Sequence, residues 1–111
     1  MDTLNSYRQI IESALTEIAK IPRRDKDVIY KTVFDHQNDS YLIICQGWEK
    51  NRRIHHCLVN IEIMNGKIWI QEDNIEYGVA LDLEEAGIPK SDIVLGFQHP
   101  SVRPYTEYAA A

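Results

Sequence analysis

The sequence predicts an α+β domain: a four-stranded antiparallel β-meander with an N-terminal helix and a second helix packed on one face. Three observations carry this. Apolar residues at three- and four-residue steps open the chain. Four stretches rich in β-branched and aromatic residues follow, separated by short turn signals. A second helical stripe comes after them. With 111 residues the chain fits one domain, residues 1–111, because a single core usually spans about 100–150 residues.

Leu4, Tyr7, Ile10, Ile11, Ala14, Leu15, Ile18 and Ile21 form the stripe of the first helix, from about Thr3 to Lys20. Asp2 or Thr3 caps its start and Pro22 stops it. A charged connector, Arg23 to Asp27, leads into the strands Val28–His36, Ser40–Glu49, Arg53–Met64 and Lys67–Glu72. Asn65-Gly66 suits a two-residue hairpin turn because both positions tolerate positive φ. Asn38-Asp39 makes a similar turn, and Lys50-Asn51-Arg52 a three-residue loop. The second helix runs from about Asn74 to Ala86, with Asp73 and Glu76 at capping-box spacing and Gly87 at its end. Its inward stripe is Ile75, Val79, Ala80 and Leu83, with Asp82, Glu84 and Glu85 facing water. Ile93-Val94-Leu95 is a short buried segment, and the chain from Gly96 onward is irregular.

These turns set a register: Phe34 opposite Ile43, Tyr41 opposite Ile61, Ile43 opposite Val59, Ile63 opposite Ile68, Cys45 opposite Cys57 and Glu49 opposite Arg53. One face is then a core of Tyr30, Phe34, Tyr41, Ile43, Cys45, Cys57, Val59, Ile61, Ile63, Ile68 and Ile70. The other mixes Val33, Leu42, Ile44, Trp48, Ile54, Leu58 and Trp69 with Lys31, Asp35, Gln46, His56, Asn60, Glu62 and Gln71.

Twelve basic against seventeen acidic residues give a formal charge of −5, a field that repels nucleic acid at long range. DNA contact would have to be local or reached indirectly through a partner. No apolar run approaches the ~18 residues of a membrane span. Two cysteines without a spacing pattern, and no leader pattern, point to a reduced, cytoplasmic protein.

Candidate chemistry is sparse. His55, His56 and Cys57 alternate faces on a strand, so at most two share a site, whereas zinc needs three or four convergent ligands. Cys45 opposite Cys57 adds a third group, but two buried thiols acting as small hydrophobes explain the pattern more simply. Glu72-Asp73 and Glu84-Glu85 read as a cap and a solvated face. No nucleophile elbow, phosphate loop or dinucleotide fingerprint is present, so neither enzyme, cofactor nor metal is expected. Lys50, Arg52 and Arg53 beside Trp48 form a basic cluster with an aromatic neighbour, a pairing able to touch phosphate and a base, but interleaved acidic residues and the negative net charge favour solvated loops. Lys20, Arg23, Arg24 and Lys26 form another.

The mixed face is the more informative feature. Tryptophan, arginine and tyrosine concentrate at interface hot spots. The expected docking surface for a partner, or for a second copy in a homo-oligomer, combines Trp48, Trp69 and Gln71 with Arg103, Tyr105 and Tyr108 of the segment Pro100–Tyr108. The competing reading is that this segment folds over the face.

Gly47-Trp48, Asn65-Gly-Lys-Ile-Trp-Ile-Gln71, Glu76, Gly78, Ala80, Gly87-Ile-Pro-Lys90, Asp92-Ile-Val-Leu-Gly-Phe97, Pro100 and Arg103-Pro-Tyr-Thr-Glu107 together resemble the XisI family, cyanobacterial factors controlling excision of the fdxN DNA element. Tyr7-Arg-Gln-Ile-Ile11 extends the resemblance almost from end to end. Asn60 and Ile75 stand where the pattern carries His and Thr. The resemblance implies a non-enzymatic accessory factor. It would act with a XisH-type partner and a site-specific recombinase during the genome rearrangement that accompanies heterocyst differentiation. Alternatives are a direct nucleic-acid-binding module and a non-catalytic subunit of a nuclease-like complex.

Overall fold

Helix α1, Thr3–Ala19, buries Tyr7, Ile11, Leu15 and Ile18, one face at three- and four-residue steps. The computed structural model describes residues 3–21 and 27–111; the Asp2 cap, the Pro22 stop and the connector residues 23–26 lie outside them.

Five strands, not four, build one sheet in the order β1 (Val28–Asp35), β2 (Ser40–Glu49), β3 (Arg52–Met64), β4 (Lys67–Asp73), β5 (Ile93–Leu95). The first three pairings are antiparallel, but β5 runs parallel to β4, with Ile68 opposite Ile93 and Ile70 opposite Leu95. Three residues are too few to show an alternation. A parallel neighbour also needs the crossover that the second helix supplies, so the segment carries no hairpin signal. The sheet is therefore mixed.

Turn chemistry corrects the register in two places. The β1–β2 connection is four residues, 36–39, because the Asp35 carboxylate accepts bonds from the backbone N–H of Gln37 and Asn38 and from the Asn38 amide. Asp39 closes the loop at φ 50°, and Phe34 consequently faces Tyr41 rather than Ile43. The β2–β3 turn is two residues, Lys50-Asn51, so Glu49 opposes Arg52 rather than Arg53. Asn65-Gly66 behaves as expected, at φ 53° and 76° between Met64 and Lys67.

A bulge matters more. Ile43 faces Val59 but Ile44 faces Cys57, leaving Leu58 as an extra residue on β3. Leu58 and Val59 both enter the core. Before the bulge, every side chain of β3 is inverted relative to the sequence reading. Ile54 and His56 join Cys45 on the helix side, while Arg53, His55 and Cys57 turn to the open side. A second irregularity, between Asn60 and Ile61, leaves Gln71 as the extra residue on β4.

Helix α2 is short, Ala80–Glu85, rather than Asn74–Ala86. Asp73 is the reason: its carboxylate accepts the backbone N–H of Ile75 at 3.0 Å and of Val79 at 2.8 Å, folding the intervening chain into a loop. Gly78 completes that loop at φ 89°. The helix ends as expected, Gly87 in a left-handed conformation with Ile88 N–H bonded to Leu83 C=O and Gly87 N–H to Glu84 C=O. Val79, Ala80 and Leu83 pack with the α1 stripe on one face of the sheet, against Tyr41, Ile43, Ile61, Ile68 and Ile70. Each such aliphatic side chain stabilises the fold by about 1.5–3 kcal/mol when fully buried. Polar ties lock the layers: Arg8 forks onto the Asp39 carboxylate at 2.8 and 3.0 Å, Tyr41 Oη donates to Asp39, and Tyr7 Oη donates to Asp92. Among the described residues no helix is long and apolar enough to cross a membrane.

Candidate functional site

Helices cover one side of the sheet; the C-terminal segment covers only a corner of the other. Residues 96–111 return past β5, where Ala109 N–H bonds to Ile93 C=O, and Val94 beneath them is fully buried. Arg103 straps this segment down. Its Nε donates to Gln98 C=O at 3.0 Å and its Nη2 to Gly96 C=O at 3.2 Å, while the guanidinium lies 5.1 Å from the centre of the Trp69 ring. Gln71 donates to Glu62 at 3.0 Å, and a Cβ on Gly96 would come within 2.5 Å of the Gln71 amide oxygen. The missing side chain is what lets the segment pass. The segment folds over β4 and β5 and leaves β1 to β3 uncovered.

Trp69, Gln71 and Arg103 are brought together; Trp48 is not with them. Trp69 lies opposite Glu62, which lies opposite Ser40, and Trp48 is eight residues further along β2. That places the two tryptophans about 26 Å apart along the strands. Trp48, half exposed at 50%, stacks under Arg53 at 5.3 Å, with Lys50 and Arg52 in or beside the adjoining turn. Of the three basic residues expected beside Trp48, Arg53 stacks on it, whereas Arg52 lies opposite Glu49 on the helix side of the sheet. Arg52 is partly occupied by Glu49 at 3.9 Å.

Tyr108 and Tyr105 have opposite fates. Tyr108 Oη donates to Glu84 at 2.7 Å, and burial with this bond pushes its pKa up to about 12. Glu84 is thus an anchor for the segment rather than a solvated charge, and Lys90 lies close to it and to Glu107. Tyr105 is 90% exposed on the outer turn formed by Arg103–Tyr105. Phe97 and Val102 are exposed on the same segment. The sequence reading passed over these two; the signal was an aromatic and an aliphatic residue in an irregular stretch with no strand to pack on.

At the departures from the family pattern, Ile75 packs against the core and Asn60 lies on the open side of the sheet. The Asn60 Oδ1 and the Trp69 Nε1 are buried without a hydrogen-bond partner among the described residues. The bulge also separates the thiols. Cys45 faces His56 on the helix side, and Cys57 faces Ile44 on the other, so the expected Cys45–Cys57 opposition does not occur. Cys57 Sγ donates to Val59 C=O at 3.2 Å, and burial, reinforced by Glu72, raises its pKa. Among the described residues no group of three His, Cys, Asp or Glu side chains is placed to hold a metal ion.

Two crystal structures among those that match share this fold. One is a XisI-like protein from Anabaena variabilis, 34% identical, with a TM-score of 0.91 over 98% of this chain and 100% of that one. The other is the fdxN element excision controlling factor XisI from the same organism, 39% identical, with a TM-score of 0.85 over 99% and 100%. No curated protein matches the sequence. The family model described as XisI protein matches residues 1–110, and the chain belongs to the XisI family.

Proposed function

We propose that the protein is a non-enzymatic accessory factor in the control of DNA-element excision. It acts in the cytoplasm by binding a XisH-type protein and, through it, a site-specific recombinase. The observation that carries this reading is the end-to-end match, in sequence and fold, to a protein described as an excision controlling factor. The surface supports a docking role. Tyr105, Phe97 and Val102 present apolar and aromatic groups on a segment already fixed by Arg103 and Tyr108, which lowers the ordering cost of association. Trp69 and Gln71 form the floor beside it. Co-expression with a XisH-type protein and capture through an affinity tag tests the reading: the pair co-purifies, and Tyr105→Ala weakens it by about 2 kcal/mol while the melting temperature holds. A XisH-type protein that ignores the folded protein overturns it.

A second reading has its own observation, the Arg53–Trp48 stack beside the turn that carries Lys50. In it the hairpin tip touches nucleic acid directly, stacking a base and meeting phosphate. Gel-shift titration of the isolated protein at several salt concentrations decides: tight, salt-sensitive binding lost in Arg53→Ala would put this reading first.

A further inference from the structure

The strip of sheet left uncovered by the C-terminal segment has the character of an interface. On the open side of β1 and β2, Ile29 and Val33 are exposed and Leu42 and Ile44 only half covered. The strip is also polarised. Asp35 and Glu62 lie at the end carrying the β1–β2 and β3–β4 turns, Arg53 lies at the opposite end beside the β2–β3 turn, and Lys31 lies between them. Among the described residues none of these four takes part in an ion pair.

We propose that this face is the contact of a symmetric dimer and that its occupant is a second copy of the chain. Two sheets pack face to face with their strands within about 30°. A two-fold axis lying between them and perpendicular to the strands places each strand over its own copy, reversed in direction. The acidic end of one face then meets the basic end of the other, twice, with the aliphatic band of Val33, Leu42 and Ile44 between. A contact of this kind is self-complementary by construction. The alternative axis, parallel to the strands, lays acid on acid and is excluded by charge. Three strands about 4.8 Å apart and about 30 Å long make a footprint smaller than the ~800 Å² per partner of a standard interface. The dimer is accordingly concentration-dependent. It leaves Tyr105 outside the contact, and it stands whether or not the excision reading does.

Sedimentation velocity over a dilution series tests it. The wild-type species moves from 12.9 kDa at low concentration toward twice that mass. Glu62→Lys and Arg53→Glu each weaken self-association about tenfold or more, because each places like charges opposite one another twice. Mixing the two variants restores dimerisation, since one chain is then basic at both ends and the other acidic at both. Circular dichroism and thermal melting verify that each variant is folded. A wild-type protein that stays at 12.9 kDa throughout, variants that dimerise like wild type, or a mixture that stays monomeric each overturn the proposal.

Discussion

Gly47 should be among the least replaceable residues of the chain. A Cβ built there lies 2.0 Å from the Asp27 carbonyl oxygen and 2.7 Å from the Val28 Cα, both backbone atoms. Ordinary contact begins near 3.4 Å, so the start of β1 must retreat by about 1.4 Å for Gly47→Ala to be accommodated. That retreat breaks the Trp48 N–H bond to Asp27, now 3.2 Å, which is worth about 0.5–1.5 kcal/mol. Overpacking adds about 1–3 kcal/mol. Holding alanine at φ 154°, a region used almost solely by glycine, adds a further ~1–3 kcal/mol. The expected loss is about 2.5–7.5 kcal/mol, a large part of the 5–15 kcal/mol of a small domain. Urea unfolding followed by tryptophan fluorescence and far-ultraviolet dichroism measures it, with a melting-point fall of about 10 °C or more. Gly66→Ala is the control: Gly66 also has positive φ, but no atom lies within 4 Å, so only the ~1–2 kcal/mol dihedral penalty applies. If Gly47→Ala costs no more than Gly66→Ala, the close approach of β1 does not constrain this hairpin.

Further outcomes follow from the polar ties and the thiols. Arg8→Ala should cost about 1.5–3 kcal/mol at pH 7 by removing two charged hydrogen bonds. The Arg8 guanidinium holds the Asp39 carboxyl below its ordinary range. Its stabilisation is therefore complete above the unfolded pKa of about 3.9 and lost as pH falls through the lower folded value; the variant should lose most of this acid dependence, Tyr41 retaining the rest. Tyr7 and Tyr41 should ionise near pH 12, Tyr7 because it donates to Asp92 and Tyr41 because it is buried. Stability that is intact below pH 10 is then lost between pH 10 and 12, which absorbance at the phenolate band together with dichroism will follow. Cys45 should react with a thiol reagent more slowly than Cys57 in the native protein, and both at equal rates in denaturant; equal native rates would contradict their placement on opposite faces.

What was legible in the sequence was what nearest neighbours decide. The α1 stripe and the Asn65-Gly66 turn are set by local periodicity and by φ tolerance, and both appear where expected. The Leu58 bulge was not legible because Cys57, Leu58 and Val59 are all apolar, so sliding the alternation by one residue leaves the core equally hydrophobic. Its consequence, the exchange of His55 with His56, follows mechanically. The loop of Asp35 and the loop of Asp73 were misjudged for one reason: a carboxylate that accepts two backbone N–H groups can outcompete both a tight turn and a helix start. Of the site, residue types were readable and distances were not. Arginine and tryptophan were recognised as interface residues, but Arg103 on Trp69 and Trp48 on the far end of the same face depend on chain paths that no local pattern encodes.

The Tyr7–Asp92 bond joins residues 85 positions apart, across the same gap that separates α1 from β5. The antiparallel hairpins between these two elements need only short loops to close and can zip up early. β5 does not share that advantage, since it returns to β4 only after the α2 crossover, and its neighbour Asp92 must close a long loop to reach Tyr7. During synthesis the helix emerges first and waits with Ile11, Leu15 and Ile18 uncovered until the meander has formed beneath it. The last long-range closure is therefore expected on the C-terminal side, where Asp92 meets the Tyr7 hydroxyl and β5 covers the edge of β4. A chain interrupted before that point carries most of its secondary structure and an unclosed sheet edge, the form in which aggregation competes with folding.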